Sequence, residues 1–187
     1  FTISSPDMKL ENLKLQLLSC PLSIVKVKDG KIAYGMKNTI AFAMNDLSTG
    51  QLIRHFIGHS KPVNQLQFFN SSLLVSAGKD GLVRLWDIRN EDPIMTIKST
   101  RKSCKGITGN QNTLITCFDE SINSCINITD LRTINNYKPL LAFELDNVNP
   151  MTLNYNIDDN SLNLFLIEMR PQIKINYKYR TYENLLS

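Results

Sequence analysis

Gly58-His59-Ser-Lys-Pro-Val63-Asn-Gln-Leu-Gln-Phe68, followed after a short polar break by Leu73-Leu-Val-Ser-Ala-Gly-Lys-Asp-Gly-Leu-Val-Arg-Leu-Trp-Asp87, decides the fold. Val83, Leu85 and Asp87 alternate there with Leu82, Arg84 and Trp86, the period of two that marks a strand. Lys79-Asp80-Gly81 separates two apolar runs and reads as a tight turn. Ser48-Thr49-Gly50 and Asn90-Glu91-Asp92 read as longer polar turns at the opposite ends of strands.

The flanking sequence follows the same template more weakly. Asp46-Leu47, Asp87-Ile88-Arg89 and Asp130-Leu131-Arg132 look like equivalent strand exits, 41 and then 43 residues apart. The position of Trp86 is taken by Asn45 in the earlier copy and by Thr129 in the later one. A further copy begins near Leu140 and runs through Leu140 to Leu145, Met151 to Ile157, Leu162 to Ile167 and Ile173 to Tyr179. No helical stripe appears beyond the first twenty residues, where Leu13, Leu15 and Leu17 read as a strand in preference to a short helix.

The stretch from Gly58 to Asp87 resembles a WD40 repeat over its whole length, with the Gly-His opening and Trp-Asp closing of that family. The resemblance implies an all-β fold, a segment of a WD40 β-propeller with about four four-stranded blades. The repeats fall at approximately residues 22–50, 51–90, 91–134 and 135–180. A blade buries its faces only against other blades, and propellers of this family usually have seven. Residues 1–187 are therefore expected to form about half of a larger ring.

Composition agrees with a packed intracellular domain. The chain has 187 residues, 42% of them hydrophobic and 20% charged, which is enough for a core. Its net charge of +4 is a mild basic balance, far from that of a dedicated nucleic-acid binder. No apolar run approaches the roughly 18 residues that a membrane helix needs. The chain opens on Phe1 with no signal segment, so a longer protein is expected around it. Four cysteines, Cys20, Cys104, Cys117 and Cys125, are too sparse for a disulfide scaffold. A reducing setting is expected, cytoplasmic first and nuclear as the alternative.

His59, Ser76, Asp80 and Trp86 match the hydrogen-bonded tetrad of the WD40 family, and the resemblance implies a chain from indole through hydroxyl and imidazole to carboxylate. The set also contains a His–Ser–Asp trio. Trp has no role in acyl transfer and no oxyanion-hole motif accompanies it, so a structural network is expected and no catalytic residue. His55 and His59 lie on a strand running into a turn, and Cys117 and Cys125 lack a second pair, so no metal site is expected. No glycine-rich phosphate loop is present, and no cofactor is expected.

In a WD40 propeller, the tight turns inside blades and the connections between blades share one face. Lys37 and Lys79 fall in such turns, Lys61 in one connection, and Lys98, Arg101, Lys102 and Lys105 in the next. This basic face would steer an acidic partner, although Asp119 and Glu120 dilute it. Lys174 to Tyr182 interleaves bases and aromatics, as a single-strand nucleic-acid platform does, or an ordinary blade strand.

Residues 102–167 carry a narrower pattern: Asn112 to Phe118, Ile126 to Leu131, Lys138-Pro-Leu, Glu144-Leu-Asp146, Leu153-Asn-Tyr155 and Leu162 to Leu166. Their order is similar to the fifth-blade region of coronins, and that resemblance implies actin-filament binding. The expected function is a non-enzymatic scaffold that binds other proteins in a multi-subunit complex, with actin filaments as one partner. The alternative is a scaffold subunit of a ribonucleoprotein, RNA-processing or ribosome-biogenesis complex, with nucleic acid as a less favoured partner.

Overall fold

A computed structural model describes residues 22–99, 103–120, 123–132, 139–145, 149–156, 161–167 and 176–178. The strand expected at Leu13–Leu17, Arg101, Lys102 and most of the basic aromatic stretch after Lys174 lie outside these residues. Every regular element among the described residues is a strand.

β1 (Leu22–Lys28), β2 (Lys31–Met36), β3 (Phe42–Asp46) and β4 (Leu52–Phe56) form a first antiparallel sheet in chain order. β5 (Val63–Phe68), β6 (Leu73–Gly78), β7 (Leu82–Asp87) and β8 (Met95–Lys98) form a second in the same way. β9 (Ser103–Gly109), β10 (Thr113–Glu120), β11 (Asn123–Asp130) and β12 (Leu141–Leu145) form a third. β13 (Asn149–Asn156), β14 (Ser161–Ile167) and β15 (Asn176–Lys178) form a three-stranded fourth. The first strands pack in succession, β1 on β5, β5 on β9 and β9 on β13, so the sheets stand as blades around a common inner edge.

The turns follow their sequence. Asp29 and Gly30, at φ of 48° and 70°, form the two-residue link from β1 to β2. Two left-handed residues in succession match the right-handed twist of the strands they join, and Asp-Gly suits that geometry. The Lys79-Asp80-Gly81 loop closes with the Gly81 amide donating to the Gly78 carbonyl at 3.2 Å, and Gly81 has a φ of 75°.

Sequence repeat and sheet are offset by one strand. Leu52–Phe56 opens the second repeat in sequence but is the outer strand of the first sheet, and Leu141–Leu145 is the outer strand of the third. Each link thus crosses from one sheet to the next and ties neighbours together.

Alternation along β7 divides its side chains between two cores. Trp86 joins Ala33, Phe42, Met44, Phe56, Val63 and Leu66 between the first and second sheets. Val83 and Leu85 join Val75, Ile97, Leu114 and Phe118 between the second and third. Polar bridges at one end add to this contact. Ser23 Oγ donates to the Val63 carbonyl at 3.4 Å, and Asn64 Nδ2 to the Cys104 carbonyl at 3.0 Å.

Candidate functional site

The second sheet brings His59, Ser76, Asp80 and Trp86 together. Ser76 comes from the middle of β6, Trp86 from β7, Asp80 from the turn between them and His59 from the link that enters the sheet. Trp86 Nε1 lies 2.8 Å from Ser76 Oγ, and Ser76 Oγ lies 2.8 Å from His59 Nε2. His59 Nδ1 is 3.0 and 3.1 Å from the Asp80 carboxylate oxygens. The indole can only donate, so the Ser76 hydroxyl accepts from it and passes its own proton to Nε2. The imidazole therefore carries its proton on Nδ1, directed at Asp80.

Asp80 is further held by the amides of Ser60 at 3.0 Å and Leu82 at 3.1 Å. Arg84 is a member of this cluster that the sequence reading missed. Its Nη1 lies 3.2 Å from His59 Nδ1 and 3.6 Å from Asp80 Oδ2. With the Nδ1 proton already given to Asp80, Arg84 acts on the carboxylate, and its Nε is buried without an acceptor. Its signal was its place four residues after Asp80, on the same strand face as Trp86. Gly78 gives the cluster room: a β-carbon there would meet Asp80 Oδ1 at 2.5 Å and His59 Nδ1 at 2.6 Å.

Burial sets the protonation states. Desolvation pushes the His59 pKa below its ordinary value of 6.5, outweighing the pull of Asp80. Burial raises Asp80, but the Ser60 amide, the charge of His59 and the Leu82 amide together bring it below 3.8. A histidine that binds its proton less readily folded than unfolded contributes fully above pH 6.5. As pH falls through that value, the unfolded chain takes up the proton first and stability declines. Asp80 adds a second loss only below 3.8, as pH falls through its folded pKa. Melting temperatures between pH 8 and pH 5 are expected to fall below about pH 6.5, by roughly 2–4 °C per kcal/mol. His59→Gln should flatten that step; a profile that stays flat in the wild-type chain would refute this reading.

The equivalent register position differs in the other sheets. In the first, Tyr34 hydroxyl and Asn45 Oδ1 are 3.2 Å apart, replacing the Ser76–Trp86 pair. In the third, Thr116 and Thr129 are buried there and neither hydroxyl has a partner.

The two ends of the sheets differ in charge. Lys37, Lys61, Lys79 and Lys98 are exposed at the end that carries the β2–β3 and β6–β7 turns. The Lys79 amide donates to the Pro62 carbonyl at 2.9 Å and the Ser99 amide to the Gly81 carbonyl at 3.2 Å, which brings the lysine-bearing segments together. Among the described residues none of these four lysines makes an ion pair. Lys105 differs: it lies within β9, and its ammonium is 3.3 Å from Asp119. At the opposite end Asp46, Asp87 and Asp130 each close a turn. Asp87 and Asp130 receive the side chains of Arg89 and Arg132, and Asp46 accepts from the amides of Ser48 and Thr49.

His55 is exposed and His59 buried, and among the described residues no three His, Cys, Asp or Glu side chains converge on a point. Cys104, Cys117 and Cys125 are buried, and burial pushes Cys117 up to about 12.

Residues 50–87 match the family model for the WD domain, G-beta repeat. WD repeat-containing protein 55 of Rattus norvegicus is 34% identical over 83 residues, 44% of this chain and 21% of that protein. Pre-mRNA-splicing factor cwf17 of Schizosaccharomyces pombe is 31% identical over 107 residues, 56% of this chain and 31% of that protein. Ribosome biogenesis protein YTM1 of Kluyveromyces lactis is 39% identical over 44 residues, 24% of this chain and 10% of that protein. The chain thus spans less than a third of the length of these relatives. The crystal structure of the computationally designed Ika4 protein shares the fold at a TM-score of 0.73 and 19% identity, over 91% of this chain and 99% of that one. A chain of the mitotic checkpoint complex shares it at 0.65 and 18% identity, over 78% of this chain and 46% of that one.

Proposed function

Since this chain belongs to the WD40-repeat family, we propose that it is a non-enzymatic scaffold subunit of an RNA-processing assembly, in splicing or ribosome biogenesis. The observation that carries this reading is the group of exposed lysines, Lys37, Lys61, Lys79 and Lys98, on one end of rigid sheets. Such an end attracts an acidic surface and fixes its orientation, while the sheets behind it hold the loops in place. The splicing factor and ribosome biogenesis protein among its relatives favour an RNA-processing setting. Pre-mRNA splicing is a nuclear process, so the proposed location is nuclear before cytoplasmic. The 187 residues make up part of a ring, seven blades being the expected total.

The tetrad is proposed as structural. Ser76 is fully buried and its hydroxyl lies between Trp86 and His59, out of reach of any substrate. The actin reading rests on the pattern of residues 102–167 alone, and neither the family match nor these relatives adds to it.

The test is recovery of RNA–protein particles with a tagged full-length protein, across a salt series, beside co-sedimentation with actin filaments. The wild-type protein should recover splicing or pre-ribosomal particles. The Lys61→Glu/Lys79→Glu variant should recover about tenfold less with an unchanged melting temperature, because reversed charges repel where the originals attract. Co-sedimentation with actin and no particle recovery would overturn the proposal.

A further inference from the structure

The end of the sheets opposite the lysines carries a groove that the scaffold reading does not use. Three turns from different hairpins border an open depression of about 410 Å³, lined by Asn70, Ser72, Leu73, Asp87, Ile94 and Gln111. We propose that this groove binds a basic side chain, arginine or lysine, presented by a partner protein.

Its walls are set before any ligand arrives. Asn70 Oδ1 accepts from the amides of Ser72 at 2.8 Å and Leu73 at 2.7 Å. Asn110 Oδ1 does the same for Asn112 and Thr113, both at 2.9 Å, in the turn that carries Gln111. The Ile88 amide donates to the Ser72 carbonyl at 2.9 Å and joins the remaining wall to the first. Walls held in this way lose little freedom on binding.

The chemistry of the walls selects a long cation. Residues 87–92 hold Asp87, Glu91 and Asp92 against Arg89, a local charge of −2. Glu91 and Asp92 are exposed in the same turn that supplies Asp87 and Ile94, so the field of that turn attracts cations and repels phosphate or an acidic peptide. Asp87 forms part of the wall, whereas Arg89 lies outside it with 76% of its side chain exposed. Arg89 fills both lone-pair directions of Asp87 Oδ1, through its backbone amide and Nε, and one of Oδ2, which leaves one of the carboxylate's about four acceptor sites for a ligand. Ile94 is 54% exposed, an unusual position for an isoleucine in a polar turn. With Leu73 it supplies an apolar strip for the methylene stem of the incoming side chain, as such stems lie along apolar surface while their charged ends reach polar groups. The Gln111 amide adds an acceptor at the rim.

The test is an amide-resolved NMR titration of the isotope-labelled full chain with acetyl-Gly-Arg-Gly-amide. The citrulline and glutamate versions of that peptide serve as probes of charge. The arginine peptide should shift the amides of Ser72, Leu73, Ile94 and Gln111 saturably, and binding should weaken with salt. The citrulline peptide, equal in shape but neutral, should bind about fivefold more weakly. Glu91→Lys/Asp92→Lys and Ile94→Ser should each weaken the arginine peptide while leaving distant resonances in place. Equal binding of the citrulline peptide, shifts of the same amides by the glutamate peptide, or no saturable shift at these four amides would overturn the proposal. The lysine-rich end plays no part in this measurement, so its outcome is separate from that of the scaffold reading.

Discussion

Trp86→Ala is expected to lower the free energy of unfolding by about 4 kcal/mol, the middle of the range for emptying a large aromatic site in a core. Trp86 is fully buried, and it closes a three-ring cluster with Phe42 and Phe56. The Phe rings stack at 4.6 Å, and the indole meets them edge-on at 5.7 and 5.4 Å. Alanine would remove the indole from the core between the first two sheets and leave Ser76 Oγ without its donor. Trp86→Phe should cost about 1–2 kcal/mol, since it keeps a ring and loses mainly the hydrogen bond. Thr129→Ala, at the equivalent register position, should cost less than about 1 kcal/mol, because the Thr129 hydroxyl has no partner to lose. Urea unfolding followed by circular dichroism measures all three. Equal losses for Trp86→Ala and Thr129→Ala would contradict this account.

The second large effect is expected at Asp80, where Asp80→Ala should destabilise the chain by about 3 kcal/mol. Its side chain is only 3% exposed, and it neutralises or satisfies groups on three segments. Removing it leaves His59 Nδ1–H, the Ser60 and Leu82 amides and the Arg84 guanidinium without their acceptor. Most of the cost is the desolvation of these orphaned donors, which exceeds the net worth of the bonds themselves. Asp80→Asn should recover part of the loss, since its carbonyl oxygen still accepts. Hydrogen exchange at the Ser60 and Leu82 amides supplies an independent readout and should accelerate in both variants. Unchanged exchange there, with a loss below 1 kcal/mol in Asp80→Ala, would show that the carboxylate is dispensable.

What was legible in advance was what neighbouring residues control. The alternation in Leu82–Asp87 and the turn at Lys79-Asp80-Gly81 are local, and β7 and its hairpin appear where that pattern places them. The spacing of Asp46, Asp87 and Asp130 likewise set the succession of sheets. Arg84 escaped notice because a charged residue in an alternating strand looks solvent-facing until the link that carries Gly58 and His59 lies over it. Lys105 was read as a connection residue, since its pairing with Asp119 depends on how β9 and β10 lie together. The groove could not be foreseen at all, as Asn70, Ile94 and Gln111 come from three separate turns.

By itself, then, the order of residues determined strand period, turn type and repeat length, because each depends on steric and solvation preferences acting over a few neighbouring positions. Only the packed structure decided which faces are buried, which hydroxyls and charges find partners, and which turns border a groove. Those outcomes depend on groups far apart in sequence being brought within a few ångströms, and water competes for every polar atom until they are.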